Sequence, residues 1–159
     1  MVSFEDQLAQ AVQRLKTNRA ELQMIRRDLD KIGAEYPFLP GDDQLGYIQK
    51  ASLHISRSTL TTAHQVDMLT VRMMIGEKSH KETEVILLEG LRRAVAVSTL
   101  DTTFLITSET FLEDRDAVMQ TRDAQAVIQD NLDCYRQLID LLAPITESEG
   151  SSGMETNPE

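Results

Sequence analysis

Three histidines, one cysteine and one isolated aspartate are the side chains of this 159-residue sequence best suited to chemistry. His54, Arg57, Thr61 and His64 recur at i, i+3, i+7 and i+10, which is a single stripe of a helix. An imidazole exchanges a proton near neutral pH and a guanidinium holds an anionic oxygen, so the stripe has parts for acid–base work beside an anion. Glu77 and His80 form Glu-x-x-His, a unit that di-iron bundles use twice, together with two further buried glutamates. One unit straddling a turn does not make that set, and no metal site is expected. Asp101 is the only charge in the thirteen residues AVAVSTLDTTFLI. A buried carboxylate there is either a general base or a structural partner for Arg57, Arg72 or Arg93, and the cost of an unpaired buried charge favours the structural role. Cys134 is expected off the core face of its helix, with Asp130 and Asp133 nearby, and acidic neighbours disfavour a thiolate nucleophile. The glycine-rich phosphate loops, the nucleophile elbow and His-Glu-x-x-His are all missing, so neither a catalytic residue nor a cofactor is expected.

The elements that must carry these residues read as helices. Leu8, Leu15, Leu22 and Leu29 recur every seven residues, interleaved with Phe4, Ala11, Asn18, Ile25 and Ile32, which is an unbroken coiled-coil seam. Ser3 with Asp6 resembles a capping box, and Gly33 with the prolines of YPFLPGDD stops the helix. Asp42 or Asp43 opens a second helix with a core stripe of Ile48, Ala51, Ile55, Thr62, Val66, Leu69 and Met73. A second stripe, Leu53, Leu60, Val71 and Ile75, lies on another face, so this helix either sits centrally or offers a face to another chain. Gly76 ends it, and Ser79 with Glu82 predicts a capping box for the third helix. The third helix is apolar almost all round, the pattern of a buried helix. Thr110 with Glu113, or Asp114, marks the next start. The last helix buries Ala124, Ile128, Leu132, Tyr135, Ile139 and Leu142 and turns Asp116, Asp123, Asp130, Asp133 and Asp140 outward.

The expected fold is therefore all-α: an antiparallel bundle of four long helices in one domain, 1–144, with helices near 4–33, 43–75, 80–109 and 114–143. Pro144 closes the bundle, and 145–159 reads as a disordered acidic tail. Sixteen Lys and Arg against twenty-six Asp and Glu leave a net charge of −10, all of it contributed by the second half of the chain. That balance argues against bulk nucleic-acid binding. No apolar run is long enough for a membrane span, and no secretory signal opens the sequence, so a cytoplasmic setting is expected.

Arg57, six intervening residues and His64 resemble the R-x4-6-H pattern of the all-α HEPN ribonuclease domains. That resemblance implies that Arg57 and His64 would act on an RNA backbone at a dimer interface. It covers two residues, and the motif lies in the front half of this chain rather than late in the domain. The heptad seam and the doubly apolar second helix point instead to a non-enzymatic interaction module: an adaptor, chaperone or regulatory subunit, a homodimer or other homo-oligomer. Its partner-binding residues would be Leu8, Leu15, Leu22, Leu29, Leu53, Leu60 and Val71. Asn18 inside the seam would set the register with the partner, and the heptad series Val12, Arg19 and Arg26 would flank the contact. A third reading, a signalling bundle with a small apolar ligand between its helices, needs a pocket lined by residues such as Phe104 and Phe111.

Overall fold

Helix α1 begins where the cap predicts: the Ser3 hydroxyl accepts a hydrogen bond from the Asp6 amide at 3.1 Å, and the helix spans Phe4–Glu35. The computed structural model describes residues 2–37 and 39–155, with side chains described as far as residue 146. Helix α2 spans Gln44–Ile75, α3 spans Lys81–Phe111 and α4 spans Arg115–Glu155, with a single 3-10 turn, Gly76–Lys78, between α2 and α3. Among the described residues all regular structure is helical, as the periodicities predict.

The caps divide. Asp114 rather than Thr110 opens α4, its Oδ1 accepting from the Ala117 amide at 2.9 Å. Ser79 does not cap α3: the 3-10 turn carries the chain one residue further, His80 takes the cap position, and the Ser79 hydroxyl is buried without a protein partner. Gly76, at φ 62°, permits the break that starts this turn. Pro144 does not end α4. Its ring removes the amide donor to the Asp140 carbonyl and crowds that carbonyl, yet the helix continues, with the buried Thr146 hydroxyl donating to the Leu142 and Ala143 carbonyls. The expected disordered tail falls from residue 147 on side chains, and from 156 on residues, that lie outside the described ones.

Each helix packs on two neighbours, α1 and α3 both lying between α2 and α4. The cross-links run in opposite chain directions. Asp30 of α1 meets Ser52 of α2, whereas Glu5 meets Arg72; Gln44 of α2 meets Phe111 of α3, whereas Arg72 meets Glu84. This is an antiparallel four-helix bundle, with α1 diagonal to α3 and α2 diagonal to α4.

Two apolar clusters fill its interior. One gathers Leu8, Leu15, Leu69, Leu91, Tyr135 and Leu142, and the other Leu22, Leu29, Ile55, Leu105, Ala124 and Ile128. Between them lies a polar layer. Asn18 donates to Asp130 at 2.7 Å and Asn131 at 2.8 Å, while Asn131 and Tyr135 both donate to the Thr62 hydroxyl. The register role expected of Asn18 is thus filled inside one molecule. Burial pushes the Tyr135 hydroxyl up to about 12, so it serves this layer as a neutral donor.

Candidate functional site

The leucine seam of α1 faces inward, not toward a partner. Leu8, Leu15, Leu22 and Leu29 are fully buried against the chain's own helices, so they present nothing to a partner. The physical reason is geometric: in an antiparallel bundle a helix between two neighbours needs the same narrow heptad stripe as a coiled-coil strand. Val12, expected at the edge of an intermolecular contact, is also buried. Arg26 reaches Asp30 on its own helix at 3.6 Å.

The remaining three candidates behave differently. Leu53 and Leu60 of α2 are 67 % and 68 % exposed, and Val71 is exposed with Met74 beyond it. Helix α2 is not central; its second stripe faces outward. Helix α3 is not enclosed either, although its sequence reads as buried. Its Ile86, Gly90, Arg93, Val97, Leu100, Phe104, Thr107 and Phe111 succeed one another at alternating steps of four and three, and all are exposed or half-buried. This heptad seam on the outer side of the bundle is the feature that sequence reasoning missed. The 4-3 spacing was visible, but the apolar residues of the inner face, such as Leu87, Leu91 and Leu105, hid it inside an all-round pattern.

The α3 seam leans toward α2. The Phe104 ring stacks on His54 with centroids 4.5 Å apart, and Phe111 stacks on Tyr47 at 5.2 Å. Phe104 and Phe111 therefore sit on the surface, not around an interior ligand pocket. Gln44 clamps the end of α3, donating to the Phe111 carbonyl and accepting from the Glu113 amide, both at 2.8 Å. That clamp fixes the height of α2 against α3.

Under the seam lies the buried acid. Asp101 is fully buried and its Oδ1 receives Arg57 through Nε at 2.8 Å and through Nη2 at 2.5 Å, with His54 Nδ1 at 3.3 Å. Of the three arginines expected to compete for Asp101, Arg57 holds it; Arg72 pairs with Glu84 and Glu5. Asp101 Oδ2 and the hydroxyls of Ser58 and Ser98 are buried without protein partners. The stripe predicted from spacing is real but split in use: His54 and Arg57 turn to Asp101, while Arg57, Thr61 and His64 also line a shallow groove whose opposite wall is Gly90, Arg93, Ala94 and Val97 of α3. Gly90 holds that groove close, its carbonyl accepting from the Gln65 amide group at 3.3 Å.

No protein-family model, curated protein or solved structure matches this chain.

Elsewhere the chemistry is quiet. Glu77 lies in the 3-10 turn and His80 at the start of α3, and among the described residues no three His, Cys, Asp or Glu side chains gather as metal ligands. Cys134 lies in the core rather than off it, and burial pushes its thiol up to about 11, with Arg14 pulling the other way and Asp130 adding to the rise. Burial, more than the acidic neighbours, suppresses its thiolate. The aspartate stripe of α4 is mostly exposed, but Asp130 is bound by Arg14 at 2.6 Å, which holds its carboxyl below the ordinary range. No helix among the described residues is long and apolar enough to cross a membrane.

Proposed function

We propose that this chain is a non-enzymatic protein–protein interaction module, an adaptor, chaperone or regulatory subunit that also self-associates, and that its docking surface is the outer α2–α3 face. The observation that carries this is the row of exposed Leu53, Leu60 and Val71 beside the α3 seam of Ile86, Leu100, Phe104 and Phe111. Single exposed apolar residues are ordinary, but apolar residues that recur along the outer sides of two adjacent helices mark a candidate interaction face. The chemistry around it supports the same reading. The buried carboxylate is consumed by an ion pair, and the lone thiol is held protonated. A cytoplasmic setting fits a single unpaired, buried cysteine.

The test is capture from native lysate by the intact chain and by a Leu60→Glu, Leu100→Glu variant with unchanged circular dichroism. Proteins retained by the native chain and lost from the variant are expected; equal retention by both would overturn the face assigned here.

One observation favours a second reading. Arg57 and His64 line the same groove as Arg93, the juxtaposition a ribonuclease would need. Arg57 is already bound to Asp101, which opposes that reading. RNA cleavage by the native chain that disappears with Arg57→Ala and His64→Ala, while partner capture persists, would decide for the hydrolase.

A further inference from the structure

Beneath the outer face, the interior between α2 and α3 holds a set of unmet polar groups. Among the described residues six side-chain atoms are buried with no protein hydrogen-bond partner, and three of them belong to Ser58, Ser98 and Asp101. These residues are themselves enclosed, at 1 %, 1 % and 0 % exposure. The packing of α2 on α3 brings them together. Ser58 lies one residue beyond Arg57 and one turn beyond His54, the two side chains that reach Asp101. Ser98 lies three residues before Asp101 on the same buried side of α3. The contacts Gln44–Phe111, His54–Asp101 and Gln65–Gly90 set α2 residue n level with α3 residue 155 − n. Ser58, Ser98 and Asp101 therefore fall within about 6 Å of helix height, four residues at the ordinary rise. The two apolar clusters part at this level. Ile55 and Leu105 belong to one and Val66 and Ala94 to the other, and the enclosed positions between them on α2 and α3 are Ser58, Thr62, Gln65, Ser98 and Asp101.

We infer that this level is a binding site for one water molecule, which donates to Asp101 Oδ2 and accepts from the Ser58 and Ser98 hydroxyls. Arg57 Nε, Arg57 Nη2 and His54 Nδ1 all converge on Oδ1, which leaves Oδ2 without a donor. Thr59, Thr62, Thr99 and Thr102 return their hydroxyls to the carbonyls four residues back, whereas Ser58 and Ser98 do not. One carboxylate oxygen thus needs a donor and two hydroxyls need an acceptor. Water supplies both, and about three such bonds are usual for a water in a protein interior.

Charge selects the same ligand. Arg57 already balances Asp101, so a metal cation would bring an uncompensated charge into the core, and an anion would meet the bare Oδ2. A neutral molecule that both donates and accepts avoids either cost. The bound water ties α2 to α3 beneath the stacked His54 and Phe104 rings. It therefore supports the outer face from within, and it does not depend on what docks there.

Crystallography of the intact native chain and oxygen-17 relaxation dispersion in solution test the site. The crystal should show one density peak within about 3.2 Å of Asp101 Oδ2, Ser58 Oγ and Ser98 Oγ. The Ser58→Ala, Ser98→Ala variant, with its helicity intact, should hold one long-lived water fewer than the native chain. If that variant does not fold, the native crystal decides alone. Oδ2 bonded directly to Arg57 or to either serine with no peak between them overturns the site, as does an equal number of long-lived waters in the two folded chains. Crystals grown in rubidium chloride separate water from a cation: an anomalous peak at this position would overturn the neutral ligand, and its absence beside the density peak supports water.

Discussion

Arg57 and Asp101 form an ion pair whose two members are buried to very different degrees: the carboxylate is fully enclosed, whereas the guanidinium side chain is 43 % exposed. That asymmetry decides which deletion hurts. Arg57→Ala strands a charge in the interior with only His54 beside it, and it should cost about 3–5 kcal/mol in urea unfolding. Asp101→Asn keeps the shape and an acceptor oxygen, and releases the guanidinium to water, so it should cost about 1–2 kcal/mol. Equal losses, or the reverse order, would mean that the pair does not bear on the core as described. At this scale the sequence revealed Asp101 as anomalous and named Arg57 among its partners. Choosing Arg57 over Arg72 and Arg93 needed the relative height of α2 and α3, which Gln44 fixes by bonding to the far end of another helix.

Helices carry the contrast between seams that look alike. Leu15 and Leu60 are both leucines of apolar stripes on long helices, yet one is fully buried and the other 68 % exposed. Leu15→Ala should lose about 2–5 kcal/mol through lost transfer energy and a cavity in the cluster it shares with Leu8, Leu69 and Tyr135. Leu60→Ala should change the stability of the single folded chain by about 0.5 kcal/mol or less. Denaturant melts at a concentration low enough to keep the chain monomeric would measure both, and a large Leu60 effect there would place that side chain inside. The heptad Leu8 to Leu29 was legible at a glance; its destination was not, because the helix it meets lies elsewhere in the same chain. Helix α3 shows the converse. Its all-round apolar content predicted enclosure, and the bundle leaves one side of every helix outside, so the excess became an outer seam.

For the whole molecule, the charge excess makes acid the informative variable. Arg14, through its hydrogen bonds, depresses the Asp130 carboxyl in the folded state, partly opposed by desolvation and helped by the Asn18 amide. Its folded pKa therefore lies below the unfolded one of about 3.9. A depressed carboxylate stabilises the fold fully above the unfolded value and loses that contribution as pH falls through the folded one. Glu109 shifts in the same direction, its hydrogen bonds from Arg122 and Gln125 outweighing the opposing burial. The melting temperature should fall as pH drops from about 5 to about 3, and Asp130→Asn should flatten part of that fall. A variant curve parallel to the native one would remove Asp130 from the account. Protein concentration must be held fixed, since self-association would itself raise the melting temperature.

Local pattern determined the helices of this protein, the caps at Ser3 and Asp114, the inward stripes and the antiparallel all-α plan, because 3.6-residue periodicity and short connections act within a few turns of chain. Tertiary structure decided which stripes found partners. Leu8, Leu15, Leu22 and Leu29 were closed in by α2 and α4, and Leu53, Leu60 and the α3 seam were left facing water. Burial is a property of the neighbours a face acquires, and in a square of four helices each member has two neighbours and one side with none.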